Sequence, residues 1–78
     1  MYKVITETID LENEEFQLYL KEHSITSRSL NIVHAQPGGG EDVEYTSSTR
    51  ETLANMFREW WGDDEEFISE QIQKISEG

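Results

Sequence analysis

No cysteine occurs among the 78 residues, so neither a disulfide nor a thiolate metal site can support the fold. That composition fits a reducing cytoplasm, which is the expected location. No apolar run approaches the roughly 20 residues that cross a bilayer. The opening MYKVITETIDL has none of the graded charge and apolarity of a secretory leader, and no membrane contact is expected. Basic residues are scarce: six Lys and Arg stand against 17 Asp and Glu, a formal charge of −11. Repulsion from phosphate then argues against direct binding of nucleic acid or of an anionic membrane. His23 and His34 are the only histidines and lie in no ligand spacing such as HExxH, so no metal or cofactor is expected.

What is present fits one domain spanning residues 1–78 with one core. A domain of this size buries about two thirds of its unfolded surface. Eight aromatic residues must therefore supply much of the interior, since each buries roughly 150–250 Å². The best-specified segment is STRETLANMFREWWG, residues 48–62. Ser48 followed by Glu51 reads as a capping box, and Gly62 reads as a left-handed stop. Leu53, Met56, Phe57, Trp60 and Trp61 recur at the spacing of one buried helical stripe. Successive residues diverge by about 100°. Trp60 is accordingly read as core, and Trp61 as a flank residue that is either a half-buried rim or an interface anchor.

Residues 2–9 alternate polar and β-branched types and predict a first strand. Asp10 predicts the cap of a helix over 11–24, with Phe16, Leu20 and His23 on one face and Tyr19 at its edge. Leu11 and Leu18 point away, as ordinary exposed leucines or as a second contact surface. Residues 25–28 read as a connector, and 29–36 as a strand with Leu30, Ile32 and His34 on one face. Pro37 to Gly40 predict a flexible hairpin tip; the acidic, strand-like residues that follow argue against a phosphate loop. Asp42 to Ser47 read as a strand with Val43 and Tyr45 facing inward. Asp63 or Asp64 predicts the cap of a last helix, with Glu66 in a capping-box position. That helix carries an Ile68, Ile72 and Ile75 stripe, and Phe67 lies off it.

The order β-α-β-β-α-α predicts an α+β fold: a three-stranded antiparallel sheet with the first strand beside the third and helices on one face. Charge is uneven, since residues 1–39 carry net −3 and residues 40–78 net −8. Glu41, Asp42, Glu44, Asp63, Asp64, Glu65 and Glu66, with Trp61 and Phe67 as an apolar spot, are the candidate partner-binding residues. The Asp63–Glu66 run lacks the spacing of a calcium loop. Paired carboxylates need a shielded pocket for acid–base work, and Ser47, Ser48 and Thr49 read as cap residues, so an enzyme is not expected.

A strand hairpin feeding a helix that ends in Trp, followed by the acidic turn DDEEF and a short last helix, resembles small phage-encoded inhibitors, among them some anti-CRISPR proteins. The resemblance covers the architecture of residues 29–76 and the character of 63–75; the N-terminal strand and helix have no counterpart in it. It implies an acidic single domain that blocks a nucleic-acid-binding effector, in some cases by imitating DNA. Two functions are thus expected. The first is an inhibitor or adaptor that docks, as monomer or homodimer, on a basic protein surface. The alternative is a small assembly protein that self-associates through a sheet edge or the Trp61 region, its charge serving only solubility.

Overall fold

The computed structural model describes residues 1–35 and 39–78, so the expected hairpin tip lies partly outside the described residues. The chain forms β1 (Tyr2–Thr8), α1 (Glu14–Glu22), β2 (Thr26–Val33), β3 (Glu41–Ser47), α2 (Arg50–Trp60), α3 (Glu65–Lys74) and β4 (Ser76–Glu77). The fold is α+β as the sequence predicts, and β1 pairs antiparallel with β3. The sheet has four strands, in the order β2-β3-β1-β4, where three were expected. Ile75 ends α3 in extended geometry, and the two residues after it reach β1, pairing Ser76 with Lys3 and Glu77 with Tyr2.

Alternation decides what each strand buries. Val4, Thr6 and Thr8 on β1 and Val43, Tyr45 and Ser47 on β3 are buried. The register sets Val4 beside Tyr45 and Thr6 beside Val43, so all of them share one face. Phe16 and Leu20 from α1, Leu53, Ala54, Met56 and Phe57 from α2, and Ile68 from α3 close over that face. The opposite face carries Ile5, 46 % exposed, together with Lys3, Glu7, Asp42 and Glu44, and no helix covers it. Tyr45 is fully buried, and its hydroxyl lies 2.6 Å from Thr8 Oγ1, which satisfies both groups.

Several boundaries differ from the sequence expectation. Asn13, not Asp10, caps α1: its Oδ1 accepts the amides of Glu15 and Phe16. Residues 10–13 instead make a turn, with the Asn13 amide donating to the Asp10 carbonyl. Leu11 therefore leaves the helix and packs against the core, while Leu18 stays exposed. At the other end Ser24 takes a left-handed φ of 55°. The Ile25 amide reaches the Leu20 carbonyl and the Ser24 amide that of Lys21, the paired bonds of a Schellman motif. Ile25 is delivered into the core, and residues 26–28, read as connector, belong to β2. An irregularity between Ser29 and Val33, with Asn31 at φ 58°, breaks the alternation there. Leu30 is half-buried and Ile32 half-exposed, and His34 reaches Asp42 on the uncovered face.

The cap of α2 shifts as well, whereas α3 is capped by one of the two expected residues. Thr49 caps α2 by accepting the Thr52 amide; Ser48 is exposed, and Glu51 pairs with Arg58 at 3.0 Å instead of closing a capping box. Asp64 caps α3 through the amides of Glu66 and Phe67, so the Asp63–Glu66 box is not used. Gly62 does not adopt the left-handed region, because Trp61 ends α2 as its C-cap with φ −109° and ψ 11°.

Candidate protein-binding site

That cap leaves Trp61 half-buried against the core, one of its two expected readings, and takes Trp60 out of the core. A stripe drawn at 100° per residue holds only inside the helix, and Trp61 has already left helical geometry. Its ring lies 5.1 Å from Phe57, 5.8 Å from Phe16 and 6.2 Å from Tyr45, in edge-to-face contacts on the core. Trp60, expected in the core, is 37 % exposed and leans on Phe16 and Tyr19 at 5.1 and 5.9 Å. Burial and the Glu59 carboxylate beside it raise the Tyr19 phenol above its ordinary range.

Trp60 and Trp61 form one wall of a pocket of about 350 Å³, lined also by Glu7, Thr8, Ile9, Asp10, Asn13, Phe16 and Phe67. Four chain segments converge there: the end of β1, the start of α1, the end of α2 and the start of α3. Trp61 and Phe67, joined in the sequence reading as an apolar spot beside Gly62, do share this site, and both are half-buried. Glu7, Asp10, Phe16 and Trp60 were not among the predicted site residues. The signal for them was tertiary: Phe16 had a core reading, and only the fold brings it to the tryptophans.

The predicted acidic residues separate into two places. Asp42 and Glu44 project from the uncovered sheet face, where Asp42 bonds His34 Nε2 at 2.8 Å and Glu44 pairs with Arg28 at 3.5 Å. The hydrogen bond to Asp42 is the main cause that raises the His34 imidazole, with the Glu7 charge adding to it and desolvation opposing it. Glu41 points to the covered side and bonds the Ser29 hydroxyl. Asp63, Asp64, Glu65 and Glu66 lie on the helical layer, all exposed, next to the pocket residues Trp61 and Phe67. Alternation along β3 therefore keeps Glu41–Glu66 from forming one continuous surface.

Among the described residues no group of three or more His, Asp or Glu is placed to hold a metal ion. Among the described residues no helix is long and apolar enough to cross a membrane. Comparison with protein-family models, with curated proteins and with solved structures finds no match to this chain.

Proposed function

We propose that this chain is an acidic protein-binding domain, an inhibitor or adaptor that docks on a basic surface of a cytoplasmic protein, of the kind that otherwise holds nucleic acid. The observation that carries this reading is the uncompensated charge. Only Asp42, Glu44 and Glu51 enter ion pairs among the described residues, and the other 14 of the 17 acidic side chains do not. Self-repulsion of this size opposes a compact fold, so its retention is accounted for by a partner of opposite charge. The resemblance to phage-encoded inhibitors points the same way.

Self-association through the β2 edge is disfavoured by its irregularity, since a kinked edge is a poor template for strand addition. Capture of partners from a cell lysate on the immobilised chain tests the proposal, in low and raised salt, with duplex DNA as competitor. A second surface carries Asp63→Asn, Glu65→Gln and Glu66→Gln; all three residues are exposed, and the Asp64 cap is kept. A basic partner whose retention falls with salt, with neutralisation and with DNA supports the reading. Retention indifferent to all three overturns it, and concentration-dependent sedimentation with no partner would favour assembly.

A further inference from the structure

We propose that the pocket between the end of β1 and the α2–α3 junction receives an arginine side chain of the basic partner; this rests on the docking reading above and names its anchor. Phe16, Trp60, Trp61 and Phe67 supply four aromatic rings to the lining and Asp10 an acid, while Glu7 lines it from the strand; among the described residues no Lys or Arg lines it. The Phe16, Trp60 and Trp61 rings meet edge to face, at 61–82°, in their contacts with one another and with Tyr45 and Phe57, so none is stacked in parallel on another. Unstacked ring faces carry the negative side of the aromatic quadrupole, which attracts a cation. Guanidinium suits such a wall better than ammonium, because it is planar, more weakly hydrated and able to stack.

The surroundings favour a cation over an anion. Acids flank the pocket residues along the chain: Glu14 and Glu15 follow Asn13, and Asp63 to Glu66 lie between Trp61 and Phe67. Two helices begin here, and their free amides would otherwise attract an anion. Those of Glu15 and Phe16 are already taken by Asn13, and those of Glu66 and Phe67 by Asp64. The Glu7 carboxylate accepts the Gly40 amide, which leaves Asp10, exposed at the rim, as the charge that meets the guanidinium.

The test is a titration with Nα-acetyl-arginine methylamide at low salt, followed by the indole N–H signals of Trp60 and Trp61 in nitrogen–proton correlation spectra. Its citrulline analogue, of the same shape without the charge, and inorganic phosphate are run beside it. The expected result is a saturable shift of both indoles at millimolar probe. Asp10→Asn should weaken it about three- to tenfold, and Trp60→Leu by a similar factor. Asp10 is exposed and its side chain makes no hydrogen bond among those described, so its variant keeps the fold. Equal binding of citrulline, or displacement of arginine by phosphate, overturns the proposal. Shifts confined to Asp42 and Glu44 on the sheet face overturn the pocket while leaving the docking reading in place. Loss of partner capture with arginine still bound in the pocket would overturn the docking reading instead.

Discussion

Replacing Tyr45 by Phe removes one oxygen from the centre of the sheet. That oxygen is the partner of Thr8 Oγ1 at 2.6 Å, between a fully buried tyrosine and a threonine 5 % exposed. A hydrogen bond contributes about 0.5–1.5 kcal/mol net, but stranding a buried hydroxyl costs about 1–3 kcal/mol. Tyr45→Phe and Thr8→Val should each destabilise the domain by about 1–3 kcal/mol. The double variant should lose less than either single change, because no polar group is then left unpaired. The domain has about 4–12 kcal/mol in all, and each kcal/mol is worth about 4–8 °C in Tm, so thermal and urea melts followed by circular dichroism resolve the cycle. Additive losses would refute the argument.

The buried Tyr45 hydroxyl also has an alkaline signature. Burial pushes the Tyr45 phenol up from 10.0 to about 12, against the hydrogen bond to Thr8, which lowers it. The native state therefore keeps a proton that the unfolded chain releases near pH 10. Its contribution is full below pH 10 and is lost as pH rises through about 12. Denaturation midpoints should fall more steeply across that window in the natural sequence than in Tyr45→Phe, which controls for the raised Tyr19. Parallel slopes would place the phenol in water.

Trp61→Ala should cost about 2–3 kcal/mol, less than emptying a fully buried aromatic site because Trp61 is half-buried, while Trp60→Ala, at the more exposed ring, costs less still; urea midpoints in the reverse order would restore the stripe reading. Ser24→Gly should stabilise the domain by about 0.5 kcal/mol, since relief of a left-handed φ outweighs the added chain entropy; a lower Tm would contradict this. Gly40→Ala should unfold the hairpin end, because a Cβ there would sit 2.2 Å from the Thr8 carbonyl oxygen, and retained native amide spectra would refute it. The His34 imidazole should titrate above 6.5 by NMR and return toward it in Asp42→Asn. Stability from that pair is full below pH 6.5 and is lost as pH rises through the folded value.

The fold class was legible because its signals are local. Alternation marks β1 and β3, the order of elements limits the sheet, and acids mark the start of α3. What was illegible depended on geometry at element ends. Asn13 outcompetes Asp10 only because a turn forms between them, and Ser24 serves where a glycine would have announced the Schellman stop. The core reading of Trp60 fails at the same kind of place, since a stripe drawn at helical angles loses its meaning at the helix end. Of the candidate site, Trp61, Phe67 and the acids between them could be read together as neighbours in sequence. Asp10, Phe16 and Trp60 join them only through tertiary packing, and β3 alternation sends Asp42 and Glu44 elsewhere.

The position of β1 also bears on how the chain finds its structure. It precedes the other described strands in the sequence, yet its neighbours in the sheet are β3, some 40 residues on, and β4, more than 70 residues on. The β2–β3 hairpin can nucleate from nearby residues, whereas β1 must wait for closure of long loops, whose entropic cost precedes any gain in contacts. During synthesis Tyr2–Thr8 therefore leaves the ribosome with both edges unpaired. One edge is satisfied once Glu41–Ser47 is available, and the short stretch facing β4 only when Ser76 and Glu77 arrive.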